Sequence, residues 1–214
     1  GDDFLLFKEF DIPFTIHSAH QGDGIDFSNA SLHNKNLESI NNSIKVADML
    51  NAKWIIVHTG YAHNVNAEEN FVKFFQELDE PRIVIENCLI KDTITHQAYI
   101  APTPSEMKNL LEKLNSRLCL DFGHATAVAR SLGVDYKGLT KEFAKLNPIC
   151  YHISDGFVEN ETDSHLHLGC GNLDIRFFKS LIPKGSFVTI ETGYGISEDV
   201  IKKRLSDIEL FNSL

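Results

Sequence analysis

The sequence predicts an α/β barrel of parallel strands, and three observations carry that prediction. Short apolar, β-branched runs recur along the chain, amphipathic stretches lie between them, and every run ends in His, Asp or Glu. Parallel strands buried on both faces read as continuous apolar runs rather than as alternating ones.

The opening segment, DDFLLFKEF at 2–10, has the look of a helix end rather than of a strand. PFTI at 13–16 then forms the first strand and stops at His17. NLESINNSIKVADMLN at 36–51 spaces its apolar residues for a helix, and WIIV at 54–57 runs into His58. A second helix, EENFVKFFQELD at 68–79, precedes RIVI at 82–85 and Glu86. A third, PSEMKNLLEKLN at 104–115, precedes LCL at 118–120 and Asp121, with His124 three residues on in LDFGHA. ICY at 149–151 meets His152, a polar stretch DSHLHLGCG follows at 163–171, and FVTI at 187–190 ends at Glu191. SEDVIKKRLSDIELF at 197–211 closes the series as a helix. From residue 17 to residue 191 there are five intervals of about 35 residues each, the length of one βα unit.

A closed TIM (β/α)8 barrel has eight strands and roughly 250 residues, whereas six units are visible here. The expectation is therefore one barrel domain over 1–214 that lacks its first one or two βα units, those strands lying upstream of Gly1. The rival is a doubly wound open sheet, which also binds ligands at the carboxyl ends of its strands.

With 214 residues, 43% hydrophobic and 23% charged, the chain can bury one sizeable core. No run approaches the roughly 18 apolar residues of a membrane helix, and the first residues lack the basic start of a signal peptide, so a cytoplasmic location is expected. The net charge of −10 argues against broad attraction to nucleic acid or anionic lipid, although three divalent ions would bring it to −4. Cys88, Cys119, Cys150 and Cys170 are far apart and form no CxxC pair, so neither a disulfide framework nor a thiolate zinc site is indicated, and they read as buried small hydrophobes.

In a parallel barrel all carboxyl ends of strands open on one face, so His17, His58, Glu86, Asp121, His152 and Glu191 should converge there. One such residue would be a satisfied structural group or a helix cap; six in succession are not explained by capping. Asp163 and His165 alternate, which puts both on one side of an extended segment. With His124 they could close on one ion and leave a position open for substrate. The plainer reading of 161–172 is a solvated glycine-containing loop.

The motifs FTIHSAH, IIVHTG, IVIEN, LDFGHA, YHISD, DSHLHLGCGNL and VTIET, in this order, resemble those of endonuclease IV, the second family of apurinic/apyrimidinic endonucleases in the xylose isomerase-like barrel superfamily. The resemblance implies a DNA-repair hydrolase that cuts the phosphodiester at abasic sites with three metal ions, zinc by preference and manganese or iron as alternatives. It implies a first site at His17 and His58 with Glu86 as bridge, a second at Glu86, Asp121, His152 and Glu191, and a third at His124, Asp163 and His165. Glu86, Asp121 and Glu191 would be its catalytic residues. The family carries an aromatic residue three positions after its first histidine, where this chain has His20. His167 matches no ligand of the family and reads as a support for a ligand or as solvated, while His33 and His96 read as surface groups.

A metal-dependent sugar isomerase or epimerase of the same superfamily is the alternative, since Glu86, Asp121, His152 and Glu191 suffice for one ion; its partner would be a small sugar or sugar phosphate. An amidohydrolase-type barrel should show His-x-His after its first strand, whereas His165-Leu-His167 comes late. A binding module without activity would have no need of all nine ligand types.

Overall fold

Glycine-free runs of three to five residues build the inner sheet of the computed structural model, which describes residues 2–10, 12–195 and 197–214. The strands are β1 (Thr15–His17), β2 (Trp54–His58), β3 (Ile83–Glu86), β4 (Arg117–Asp121), β5 (Cys150–Ile153) and β6 (Phe187–Ile190). All five pairings are parallel and each strand lies beside the next in sequence, the order of a barrel and not of a doubly wound sheet. Neighbouring strands lie about 4.8 Å apart, so a flat sheet would separate β1 from β5 by roughly 19 Å. The rings of His17 on β1 and His152 on β5 are 5.9 Å apart, which requires the sheet to curl. Six strands are present among the described residues, with β1 and β6 each paired on one side.

The helices are α1 (His33–Leu50), α2 (Ala67–Leu78), α3 (Pro104–Leu114), α4 (Phe122–Leu132), α5 (Tyr136–Ala144), α6 (Ile175–Leu181) and α7 (Glu198–Ser213). The segment Asp2–Glu9 is a 3₁₀ helix, in agreement with its helical look. Local chemistry marks the ends. Thr103 caps α3 reciprocally with Glu106, and Pro104 opens its first turn. Helices α1, α2 and α3 each stop at an Asn or Asp in the left-handed region, Asn51, Asp79 and Asn115, whose short polar side chains tolerate that backbone.

Alternation along the strands sorts the core into two layers. Ile55, Val57, Ile85, Leu118, Leu120, Tyr151 and Ile153 face the helices and pack with Phe71, Met107, Phe122, Phe143 and Phe178. Ile56, Val84, Cys119 and Cys150 face the inside of the curl and form their own cluster with Trp54 and Phe187. Burying each large apolar side chain contributes roughly 1.5–3 kcal/mol. The inward row continues two residues further along each strand, to His58, Glu86, Asp121 and His152, so the packing that holds the interior also aims these side chains. Cys88, Cys119 and Cys150 are buried as expected, but Cys170 is exposed in its loop. Among the described residues no helix is long and apolar enough to cross a membrane.

Candidate metal centre

Glu86 stands at the middle of the upper row with no solvent exposure. Strand register sets His58 beside it and pairs Asp121 with His152 on the next two strands. The Glu86 carboxylate divides its oxygens. Oε2 lies 3.1 Å from His17 Nε2 and 3.5 Å from His58 Nε2, while Oε1 lies 3.1 Å from His152 Nδ1 and 3.6 Å from His124 Nδ1. Glu191, one residue past the end of β6, brings Oε1 to 3.1 Å from His152 Nδ1.

Asp121 ends β4 and begins α4, where its Oδ1 accepts from the His124 amide and caps the helix. That single turn brings His124 to the same cavity. Asp163 reaches in from the loop after β5, with Oδ1 3.2 Å from Ser154 Oγ. The loop can come this close because residue 123 is glycine: a Cβ there would lie 2.7 Å from Asp163 Oδ1.

Among the described residues, four overlapping groups each bring their ligand atoms within 4.8 Å of one another: His17, His58 and Glu86; Glu86, Asp121, His152 and Glu191; His17, His152 and Glu191; and Asp121, His124 and Asp163. The last differs from the trio anticipated above, with Asp121 in the place of His165. His165 stands beside it, its Nε2 3.2 Å from Asp163 Oδ2 but without the alignment of a hydrogen bond. The grouping of His17 with His152 and Glu191 was not anticipated, because it depends on how far the sheet curls. His33 and His96 are exposed, and His167 is half-buried.

The residues fit metal ions. Asp121 Oδ2, Asp163 Oδ2 and His58 Nδ1 are buried without a hydrogen-bond partner, a costly state for polar atoms unless an ion or a substrate satisfies them. Three rings are oriented as ligating imidazoles are. His17, His124 and His165 each turn Nδ1 to a main-chain carbonyl, those of Ser18, Asn87 and Glu191, at 2.8, 2.9 and 2.9 Å, which leaves Nε2 to the cavity. Asn87 brackets Asp121: its Nδ2 donates to the Asp121 carbonyl and its Oδ1 accepts from the Asp121 amide. The asparagine after Glu86 in IVIEN was visible in the sequence, but nothing there marked it as a brace.

Without ions the cavity redistributes protons. Burial opposes the charging of His152, yet the carboxylates of Glu86, Glu191 and Asp121 push it up to about 10. Burial likewise opposes His124, and Asp121, Glu86 and Asp163 raise it to about 9. Burial drives Asp121 up to about 7, partly offset by His124 and reinforced by the nearby acids. Glu86 goes the other way, for the imidazoles of His152 and His58 overcome its burial and hold it well below the usual carboxylate range. Burial lowers His58 to about 4, which keeps it neutral and able to ligate at neutral pH. His20 adds an imidazole at the mouth, its ring 4.7 Å from that of His58.

A family model described as a xylose isomerase-like TIM barrel matches residues 6–206. A probable endonuclease 4 from Aquifex aeolicus is 22% identical over 198 residues, covering 86% of this chain and 70% of that protein. Endonuclease IV from Thermus thermophilus superposes with a TM-score of 0.70 at 18% identity, over 99% of this chain and 80% of that one. A D-tagatose 3-epimerase-like protein superposes with the same TM-score and identity, over 98% of this chain and 82% of that one. At these identities the two superpositions show a shared fold.

Proposed function

We propose, from the premise that the chain belongs to the xylose isomerase-like TIM barrel family, that it is a metal-dependent phosphodiesterase of the endonuclease IV kind, acting on DNA at abasic sites. The observation that carries this reading is the cluster of Asp121, His124 and Asp163 beside the four-residue set of Glu86, Asp121, His152 and Glu191. For a sugar isomerase one ion is sufficient, and the additional cluster would have no role. The sequence likeness to a probable endonuclease 4 points the same way.

His17, His58 and Glu86 would hold one ion, Glu86, Asp121, His152 and Glu191 a second, and His124, Asp163 and His165 a third; zinc suits this oxygen and nitrogen donor set, as do manganese and iron. Bound there, the ions supply Lewis-acid polarisation of the phosphoryl group and activation of water. The chain's part is placement and charge. Glu86, Asp121 and Glu191 are the catalytic residues of this reading, since their carboxylates border the space in which water and phosphate must meet. Main-chain carbonyls lock three imidazoles in orientation, Asn87 holds Asp121, and the buried row excludes bulk water from the floor of the cavity, where electrostatic stabilisation is strongest. His20 puts a small polar imidazole where the family carries a larger aromatic side chain, so the rate on duplex DNA should be modest.

The second reading is a sugar isomerase or epimerase using Glu86, Asp121, His152 and Glu191 with a small sugar or sugar phosphate, favoured by the superposition on an epimerase-like protein. One assay separates them. The metal-loaded protein is given an oligonucleotide with a single abasic site, with and without chelator, and in parallel a ketose. Chelator-sensitive cleavage supports the phosphodiesterase; interconversion of ketose and aldose without cleavage overturns it.

A further inference from the structure

Helix α7 carries one buried side chain among its described residues, and that side chain is an acid, Asp207, 3% exposed. A carboxylate is stable inside a protein only when donors surround it. Three do. Asp207 Oδ2 lies 2.6 Å from His167 Nδ1 and accepts from Thr192 Oγ1, and Oδ1 accepts from the Leu168 amide at 2.9 Å. These donors come from two segments distant in sequence, the loop that carries Asp163 and His165 and the turn that carries Glu191. One helical turn earlier, Arg204 donates to the carbonyls of Thr192 and Gly193 at 2.8 and 2.9 Å.

The two segments also bond to each other. The Gly193 amide donates to the His165 carbonyl at 2.8 Å, and His165 Nδ1 lies 2.9 Å from the Glu191 carbonyl. The His167 ring occupies the space that a side chain at 193 would need, with Nε2 2.7 Å from an ideal Cβ, and Gly193 sits at φ +63°. Only glycine satisfies both conditions. An apolar residue at 207 would bury as well, but it could not hold His167, Leu168 and Thr192 at once.

We propose that Asp207, through His167 and Thr192, is a positioning residue that clamps the Asp163–His165 loop to the Glu191 turn and so sets the spacing of these ligands. The inference rests on the reading of the cavity as a metal centre. Neither Asp207 nor His167 is needed as a ligand; their effect passes through the backbone on which His165 and Glu191 stand.

The test is titration of the metal-stripped chain with Co²⁺ alone, following visible absorption, which reports ligand geometry, together with hydrogen exchange at the Leu168 and Gly193 amides. Asp207→Asn and His167→Leu should weaken the weakest Co²⁺ site about 10-fold or more, alter its spectrum and speed exchange at both amides. His167→Asn, whose amide nitrogen stands close to the position of Nδ1, should restore binding to within about threefold of wild type. The His167 pair decides the matter even if Asp207→Asn does not fold. Wild-type affinity and spectrum in Asp207→Asn and His167→Leu would overturn the clamp, as would a His167→Asn variant no better than His167→Leu, which would assign the role to Nε2. A wild-type chain that binds no Co²⁺, or binds it equally after Glu86→Gln, would instead overturn the metal reading itself and the clamp with it.

Discussion

Replacing Glu86 by Gln keeps the shape of the side chain and removes its charge, at a residue that borders four imidazoles. The carboxylate has no exposure, and its oxygens lie 3.1, 3.5, 3.1 and 3.6 Å from nitrogens of His17, His58, His152 and His124. In the metal-free protein at neutral pH, His152 and His124 are charged, with values near 10 and 9. Taking away one partner of a buried ion pair costs about 3–5 kcal/mol, so the metal-free variant should unfold at clearly lower denaturant. The pH dependence follows from the same groups. Both histidines are raised above their ordinary 6.5, so their contribution is complete below that pH and is lost as pH climbs through 9 and 10. Glu86→Gln should flatten that decline. In the loaded protein an amide cannot serve two ions as a carboxylate does, and the rate should fall on the order of 100-fold or more with metal content below that of wild type. Denaturant unfolding from pH 6 to 10, metal analysis and abasic-site cleavage are measured on the same preparations. Unchanged stability, full occupancy and full activity would remove Glu86 from the centre.

Asp163→Ala with His165→Ala should abolish cleavage of an abasic-site duplex, by about 100-fold or more, while the ions at Glu86 and Asp121 remain; equal loss of all bound metal would show the clusters to be one unit. Metal uptake at pH 8, where Asp121 is already largely ionised, should release about two protons per chain, chiefly those of His152 and His124, seen as a dependence of calorimetric heat on buffer ionisation. A heat independent of buffer would contradict the charged empty cavity. Phe178→Ala removes a fully buried ring stacked on Phe122 at 4.6 Å and should cost about 3–5 kcal/mol in unfolding without changing metal content; a loss below about 1 kcal/mol would mean that this part of the core relaxes around the gap.

The strands were legible because helices cover one face and the inner cluster the other, which makes each of them apolar throughout. Their parallel order was legible from the regular interval between them. Helices α4, α5 and α6 were not anticipated, and for physical reasons. Residues Phe122–Ala129 of α4 are all buried, so no polar face marks the period, and α5 and α6 are short. In the cavity, alternation tells which side of a strand a residue takes, so the convergence of His58, Glu86, Asp121 and His152 could be read directly. It does not tell how far a loop reaches. Asp121 therefore stands with His124 and Asp163 where His165 was expected, and His17 approaches His152 across the curl. Asp207 was hidden for a different reason: an acid among the charges of SEDVIKKRLSDIELF looks solvated until the fold closes over it.

The most direct measurement is metal content per folded chain, by elemental mass spectrometry after loading with zinc and removal of free ions. Three ions per chain are predicted, falling to two in the Asp163→Ala, His165→Ala double variant. One ion per chain, insensitive to that double substitution, would contradict the phosphodiesterase and leave the isomerase in its place.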